Sequence, residues 1–355
     1  MATNHEVRWS IPEGETRSSI QTVIPASTRV PWGVDAVGAA NLSPIQGTPK
    51  TRVAVLDTGV DGAHPDLQSV VVRRYDFTNS RSGPEDVNGH GTHVAGIIAA
   101  SRGNYEGVIG VSPDVEIYSY KVLDDHGSGT DSQIVAGMEK AIADGCDLFN
   151  FSLGGPTPMP RLQSLIQEMR RAGRLSVCAS GNGGPIQRDA IYPARSIHAI
   201  CVGSFDRSGK LSSFSQQSQT MTCFAPGGNI ESTYPGERYT TMSGTSMAAP
   251  HVTGCLARIY SVFSFQHGRD PSEKEIMSIF NQWLIRDHNY PEKRFAGGGR
   301  PFIDDSKIPK PESPNPDEPK PVRVEISLRG LNDELDAAFA RAGITAGNIS
   351  FVIRR

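Results

Sequence analysis

Ser246 stands between small residues at the predicted start of an apolar helix, in the stretch MSGTSMAAPHVTG that runs from Met242 to Gly254. An alcohol is a poor nucleophile at neutral pH, so a reactive serine needs a base within hydrogen-bond reach and donors for the oxyanion that it generates. A helix N-terminus favours negative charge, and small neighbours let a substrate backbone approach closely. Taken alone, a serine before an apolar run is more often a helix cap than a nucleophile. The rest of the chain must supply its partners.

Asp57 and His90 are the candidates for an acid and a base. The apolar, β-branched run at 52–57 predicts a buried parallel strand that ends at Asp57, on the sheet edge where ligand sites gather. The stretch NGHGTHVAGIIAA at 88–100 predicts a helix that starts near His90, which fits a base oriented by that aspartate. His93, three residues on, would allow a metal site, but no HExxH motif or cysteine pair completes a zinc set. We therefore expect His93 to be structural.

Two glycine-bearing loops follow predicted strands. One carries SLGG at 152–155, and the other carries ASGNGG at 179–184. Glycines let a peptide backbone pair with such loops, and the amide of Asn182 is a donor that could reach an oxyanion. By itself, GNGG more often marks a turn.

Apolar strands alternate with helices along this part of the chain. The alternation is typical of βαβ units and predicts an α/β fold with a parallel sheet. The predicted strands also include 115–122, 147–153, 175–179, 198–205 and 221–225, and the predicted helices include 131–143, 161–172 and 271–283.

Length and composition exclude several classes of protein. The 355 residues suit one large core with an appendage, and a net charge of −3 without a dense basic cluster argues against nucleic acid as a partner. No apolar run approaches the ~18 residues of a membrane span, and the N-terminus lacks the apolar core of a signal peptide. The five cysteines form no CxxC pair and are predicted to be reduced core residues. We expect a cytoplasmic protein that does not bind membranes.

The two ends of the chain differ from its centre. Residues 1–29 are polar and predict an extended arm ahead of the main domain at 30–303. Six prolines at 304–321 predict a semi-rigid linker. Beyond it, 322–355 has the pattern strand-helix-strand and predicts a small βαβ unit. Because a unit of this length is too short to fold alone, it should dock on the core, on a partner or on a second copy.

Four motifs occur together and in this order: VAVLDTGV around Asp57, NGHGTHVAG around His90, ASGNGG around Asn182 and SGTSMAAPHVTG around Ser246. In them the chain resembles the subtilisin-like serine proteases over roughly 30–303, and its short arm is most similar to the intracellular bacterial members. The resemblance implies a three-layer fold with a mostly parallel sheet flanked by helices, and a serine endopeptidase that forms an acyl-enzyme.

The resemblance also implies roles, which are those established for subtilisin itself. Ser246 would attack the scissile carbonyl, His90 would take and return the proton, and Asp57 would orient the imidazole. Asn182 and the backbone N–H of Ser246 would bind the oxyanion, with support from Thr245. No cofactor is required for this chemistry.

A substrate strand is expected to lie between two backbone rails. The residues that the resemblance places there are Gly127, Ser128 and Gly129 on one rail, Ser152, Leu153 and Gly154 on the other, and Ala179, Ser180 and Gly181 on one wall of the pocket for the residue before the cut. Ile191 is expected at the base of that pocket, where relatives carry glycine or a small polar residue. Because a branched side chain shortens the pocket, we expect a preference for small or medium apolar residues there.

Two further features follow from the resemblance. Asp66 and Asn104 match side-chain positions of the family's calcium site, so a structural Ca²⁺ is expected. Val23-Ile24-Pro25 resembles the element with which intracellular relatives cover their cleft, so we expect residues 1 to about 27 to be autoinhibitory until cleaved.

One alternative belongs to a different functional class. A catalytically silent pseudoprotease would keep this fold as a peptide-docking module and use 322–355 to hold a partner. All four catalytic positions carry the expected residue types, which favours the active protease with polypeptide substrates.

Overall fold

The computed structural model describes residues 8–17, 28–43, 45, 50–101, 107–186, 189–286, 299–311, 322–326 and 349–353. The chain divides into two units, Met1–Lys310 and Pro311–Arg355, and each is described by itself.

A seven-stranded parallel sheet forms the centre of the first unit. Its strands are β3 (Arg52–Asp57), β4 (Val71–Asp76), β5 (Glu116–Lys121), β7 (Leu148–Phe151), β8 (Leu175–Ala179), β9 (Ile200–Phe205) and β10 (Met221–Pro226). They lie in the order β10-β9-β8-β7-β3-β5-β4. β3 lies between β5 and β7, and the chain crosses from one side of β3 to the other between these two strands. The carboxyl end of β3 is therefore a switch point of the kind at which α/β sheets hold ligands.

Helices cover both faces of this sheet. They are α1 (Trp32–Ala36), α2 (His90–Ala99), α3 (Asp131–Ala143), α4 (Pro160–Arg171), α5 (Thr245–His267) and α6 (Glu273–Trp283). The side chains of β3 alternate between the two layers: Val53 and Val55 join a core cluster with α2, α5 and α6, whereas Ala54 and Leu56 join one with α3 and α4. The predicted three-layer α/β fold is confirmed.

Local sequence explains several of these elements. The inner strands β3, β7, β8 and β9 are nearly continuous apolar runs because both of their faces are covered. α3 has its predicted bounds because Thr130 and Gln133 form a reciprocal capping box at its start. α5 ends at Gly268, whose left-handed φ of 64° suits a glycine C-cap.

Short antiparallel pairs complete the first unit. They are β1 (Arg8–Ser10) with β6 (Ser128–Thr130), the sheet β11-β12-β2 built from Ile230–Tyr234, Arg238–Ser243 and Thr16–Arg17, and β13 (Leu284–Ile285) with β14 (Arg300–Pro301). The arm therefore contributes a strand to two of these sheets.

The second unit contains two paired strands, β15 (Val322–Ile326) and β16 (Ile349–Ile353). Both were predicted, and the helix predicted between them lies outside the described residues. Their pairing is antiparallel, so the unit is not the parallel crossover that a βαβ motif denotes. Period-2 alternation identifies strands but carries no information about their relative direction, which explains the difference.

Candidate active site

Asp57 and His90 form a buried pair at the switch point of the sheet. Asp57 is the last residue of β3 and His90 the first of α2, and their Oδ1 and Nδ1 atoms are 2.7 Å apart. The amide of Thr58 also donates to Asp57 Oδ1 at 2.7 Å, which fixes the carboxylate. Gly91 permits the approach, since a Cβ there would lie 2.0 Å from the carbonyl oxygen of Gly59. The two predicted partners are therefore in contact.

Ser246 and Asn182 lie at the same edge of the sheet. Ser246 is the second residue of α5, and its Oγ donates to the carbonyl of Ser152 at 3.3 Å. The amide oxygen of Asn182 accepts from both the backbone N–H and the hydroxyl of Thr245, each at 2.9 Å. Because its oxygen is held in this way, the amide nitrogen of Asn182 is the atom left to face a ligand.

His93 belongs to the interior, as the sequence predicts. Its Nε2–H donates to the carbonyls of Ile230 at 3.0 Å and Thr240 at 3.2 Å. Burial, followed by the charge of His90, lowers its pKa from the usual value to about 3. A neutral histidine that bridges α2 to β11 and β12 is thus structural.

The rails hold an extended chain, and that chain is the N-terminal arm. Trp9 pairs with Gly129 in the β1–β6 ladder, and Ser10 exchanges two backbone hydrogen bonds with Gly154 at 3.0 and 3.1 Å. The amide of Ile11 donates to the carbonyl of Gly127 at 3.2 Å. Both predicted rails therefore pair with a peptide backbone.

The next arm residues contact Asn182 and His90. The carbonyl of Pro12 accepts from the amide nitrogen of Asn182 at 3.3 Å. A carboxylate oxygen of Glu15 is 3.1 Å from Nε2 of His90. His90 thus contacts two carboxylates, while Ser246 is hydrogen-bonded to Ser152.

These contacts determine the protonation of His90. Burial alone would lower its pKa, but the charges of Asp57 and Glu15 and the hydrogen bonds to them outweigh burial and raise the pKa well above its usual value. The arm, through Glu15, therefore favours the protonated form of His90.

A different part of the arm was predicted to cover the cleft. Val23-Ile24-Pro25 lies outside the described residues, whereas Ile11-Pro12 occupies the cleft. The available signal was a second Ile-Pro pair at 11–12, preceded by a tryptophan.

Ile191 lies between Gly154 of one predicted rail and Gly181 of the predicted pocket wall. A Cβ at Gly154 would lie 2.2 Å from its Cδ1, and one at Gly181 would lie 3.2 Å from its Cγ2. Its amide donates to the carbonyl of Ser180 at 3.0 Å, and Ser180 directly follows Ala179 at the end of β8. Ile191 is thus placed where its side chain can limit the pocket.

Gln216 supports this pocket and was not predicted. Its side-chain oxygen accepts from the amide of Gly183 at 3.1 Å, and its nitrogen donates to the carbonyl of Asp189 at 2.7 Å. It therefore ties the Asn182 loop to the segment that carries Ile191. No local motif marks this glutamine, because both partners are distant in sequence.

Of the two predicted calcium ligands, the structure describes Asp66. Asp66 is buried, and its Oδ2 accepts from the amide of Val108 at 2.9 Å and the hydroxyl of Tyr239 at 3.0 Å. A carboxylate suits Ca²⁺, but Asn104 lies outside the described residues. Among the residues that are described, no group of three or more His, Cys, Asp and Glu side chains is placed to hold a metal ion. Calcium binding stays a prediction.

Within the described parts of the chain, no helix is both long and apolar enough to cross a membrane.

Known proteins match this chain over most of its first unit. Residues 48–286, more than half of the chain, match the model of the Subtilase family. Subtilisin Savinase of Lederbergia lenta is 43% identical over 232 residues, which cover 65% of this chain and 84% of that protein. The major intracellular serine protease of Bacillus subtilis (strain 168) is 41% identical over 235 residues, covering 64% of this chain and 73% of that protein.

A third relative aligns over a longer stretch. The intracellular serine protease of Paenibacillus polymyxa is 39% identical over 275 residues, which cover 76% of this chain and 84% of that protein. These matches confirm the resemblance that the four sequence motifs carry. The chain belongs to the subtilase family and is a subtilisin-like serine endopeptidase.

Proposed function

We propose that Ser246, His90 and Asp57 are the catalytic triad. Ser246 Oγ attacks the scissile carbonyl, His90 Nε2 takes its proton and returns it to the leaving amine, and Asp57 holds Nδ1–H and stabilises the imidazolium. The observation that carries this proposal is the 2.7 Å contact between Asp57 and His90 at the edge where Ser246 also lies. An acyl-enzyme on Ser246 is the intermediate, and water releases it.

We further propose that Asn182 and the backbone N–H of Ser246 bind the oxyanion. The support is that Asn182 already donates to a peptide carbonyl, that of Pro12, with its other amide atom held by Thr245. A preorganised donor of this kind stabilises charge as it develops in the transition state.

Labelling tests the nucleophile directly. A fluorophosphonate should label the protein once the arm is displaced, and Ser246→Ala should abolish the labelling. Ser243→Ala is a matched control, because Ser243 is three residues earlier and its hydroxyl binds Asn229 instead. Unlabelled wild-type protein, or labelling that survives Ser246→Ala, would support the pseudoprotease alternative.

We propose that the arm is autoinhibitory and that the enzyme is made as a zymogen. Glu15 favours the protonated form of His90, and this form cannot accept the serine proton. The hydroxyl of Ser246 donates to the carbonyl of Ser152 while the arm is in place. The arm thus lies along the substrate path while the triad is unassembled.

Removal of the arm tests this proposal. Protein lacking residues 1–27 should show a higher initial rate than the full chain, and a peptide with the sequence 8–17 should inhibit it again. Equal initial rates would contradict autoinhibition without affecting the triad.

We propose that Ile191 limits the pocket to small or medium apolar side chains. Peptides that vary only at the residue before the cut should show alanine or leucine favoured over tyrosine. Ile191→Gly should improve the cutting of tyrosine peptides. A wild-type enzyme that cuts phenylalanine or tyrosine peptides best would refute the proposal.

We propose a structural Ca²⁺ near Asp66, supported by its buried carboxylate. Calcium should raise the melting temperature relative to chelator, and Asp66→Asn should weaken that difference. Equal melting temperatures in calcium and chelator for the wild type would argue against the site.

We propose an intracellular location, supported by the names of two relatives and by five buried cysteines that are all free thiols. Detection of the protein mainly in the culture medium would contradict it.

We propose that the second unit mediates self-association or partner binding. Its register pairs Val322 with Ile353, Val324 with Phe351 and Ile326 with Ile349, and a two-stranded sheet is marginal by itself. Truncation after Ile303 should lower the molar mass of the assembly, and an unchanged monomer would contradict the proposal.

A further inference from the structure

The side chain of Trp9 fills a site of its own beside the rails. It is fully buried and belongs to the core cluster that contains Ile134 and Leu153. The indole lies against Gly155, where a Cβ would be 3.1 Å from ring atoms Cδ2 and Cε2. The absence of a side chain at Gly155 therefore leaves room for a large flat ring.

One wall of this site is polar. Asp131, the first residue of α3, accepts the indole N–H of Trp9 at 2.6 Å. That N–H is the only polar group of the side chain, so the contact satisfies it on burial. A hydrogen bond to a carboxylate is among the stronger ones in proteins.

The fold does not require Asp131 for capping. Thr130 accepts from the amide of Gln133, and the Gln133 side chain accepts from the amide of Thr130, so the helix start already has its capping box. An acidic residue in the first turn of a helix also interacts favourably with the helix dipole. A test must therefore distinguish this stabilising role of Asp131 from a role in binding the indole.

Trp9 occupies a defined place along the substrate path. The carbonyl of Pro12 is the one bound by Asn182, so Pro12 stands for the residue before the cut. Ile11 and Ser10 pair with the rails as the second and third residues, and Trp9 is the fourth.

We propose that Asp131 makes this protease select tryptophan at the fourth residue before the cut. The inference rests on the proposed function, because it takes the path of the arm as the path of a substrate. Phenylalanine or leucine would fill the site but leave Asp131 without its donor. A site built around a hydrogen bond discriminates against ligands that lack it more strongly than an apolar site discriminates by size.

The test uses the full chain and four peptides of the form X-Ser-Ile-Ala followed by a fluorogenic group. X is tryptophan, 3-benzothienylalanine, phenylalanine or lysine. Benzothienylalanine keeps the shape of the indole and replaces its N–H with sulfur. Because the arm competes equally with every peptide, the ratio of kcat/KM between two peptides does not depend on arm occupancy.

Tryptophan should exceed benzothienylalanine by about tenfold in kcat/KM, the value of one charge-assisted hydrogen bond. Asp131→Ala should bring this ratio to about one, because it removes the acceptor that only the tryptophan peptide uses, and Asp131→Asn, which keeps an acceptor, should retain part of the ratio. Glu139→Ala is the matched control: it removes the same charge from an exposed position of α3 and should leave the ratio unchanged.

Equal cutting of the tryptophan and benzothienylalanine peptides by the wild type would overturn the inference. So would a ratio that survives Asp131→Ala, or a preference for lysine, which would make Asp131 a simple charge. A protein that cuts no peptide and takes no fluorophosphonate label overturns the proposed function and this inference with it, whereas a labelled enzyme without the preference overturns only the inference.

Discussion

The two halves of the arm bind the same cleft by different means. The upstream half, Arg8–Pro12, uses backbone hydrogen bonds to both rails and buries Trp9 and Pro12. The downstream half, Glu13–Arg17, is mostly exposed and pairs only Thr16 and Arg17 with β12. It adds two charged contacts, Glu15 to His90 and Arg17 to Tyr234.

This difference separates recognition from inhibition. Any extended peptide can form the backbone bonds of the upstream half, so this half is a model for a substrate. The contact of Glu15, in contrast, forms with the protonated state of one catalytic side chain. We therefore expect changes in the upstream half to affect substrates and arm alike, and changes in the downstream half to affect the arm alone.

The largest expected effect concerns the hydrogen bond between Asn182 and Pro12, where the two halves of the arm meet. Asn182→Ala should lower kcat of arm-free enzyme by about 10²–10³, the loss measured for the corresponding asparagine of subtilisin itself. Inhibition by the 8–17 peptide should weaken only about fivefold, because that peptide loses one neutral hydrogen bond. Steady-state kinetics and inhibition constants on the same variant measure both. Equal losses would mean that the arm mimics the transition state rather than the substrate.

The next effect concerns the downstream half. Glu15→Gln removes the negative charge beside His90, so the full chain should gain initial rate by roughly tenfold. Glu13→Gln is the matched control, since Glu13 is an exposed carboxylate two residues earlier. Progress curves on fresh protein distinguish the two. A similar gain in both variants would assign the effect to net charge and would erase the distinction between the halves.

The same contact predicts a pH dependence. The charges that face His90 are Asp57 and Glu15, and its neighbour His93 is neutral. Since arm binding raises the pKa of His90, the ion pair contributes fully below the arm-free pKa and is lost as pH rises through the arm-bound one. Inhibition should therefore weaken at alkaline pH.

The ratio of the initial rates of arm-deleted and full-length enzyme measures the strength of inhibition by the arm at each pH, because the pH dependence of catalysis itself cancels. The ratio should fall several-fold toward alkaline pH in wild type and stay nearly flat in Glu15→Gln. A parallel fall in both would show that another group controls the arm.

Much of the fold is predictable from local patterns. β8 and α3 have their predicted bounds because a continuous apolar run and a capping box are local signals. β4, β11 and β12 were not predicted. β4 (VVRRYD) is a half-exposed edge strand whose charged residues follow no period-2 alternation, and β12 contains polar residues that become buried only through its neighbours.

The residues of the candidate site were also predictable, whereas the contacts of the arm were not. Asp57, His90, Asn182 and Ser246 each stand in a motif of their own, but Ile-Pro occurs twice in the arm and a three-residue strand is too short to show alternation. What distinguishes the segment that contains Ile11-Pro12 is Trp9, whose side chain contacts Asp131 and Gly155, more than a hundred residues away. Only the folded chain brings them together.

The smallest expected effect concerns Arg17, at the exposed end of the downstream half. Arg17 donates to the hydroxyl of Tyr234 at 2.9 Å and to the carbonyl of Asn88 at 3.1 Å, with its guanidinium carbon 5.3 Å from the tyrosine ring centroid. An exposed cation–π contact is weak, so Arg17→Ala should raise the initial rate by only about threefold. Arg17→Lys should give part of this gain, because it keeps the charge but loses the planar stacking.

The salt dependence of inhibition should differ between the Arg17 contact and the contacts of the upstream half. Inhibition by an arm peptide that carries Arg17 and Glu15 should weaken as salt rises, since the exposed charge of Arg17 is screened, whereas the buried Glu15–His90 pair is screened less. A peptide that ends at Pro12 should show inhibition that is nearly independent of salt, because its hydrogen bonds and its indole are buried. Equal salt dependence of the two peptides would mean that charge governs the whole arm, and that its halves do not differ in the way their contacts suggest.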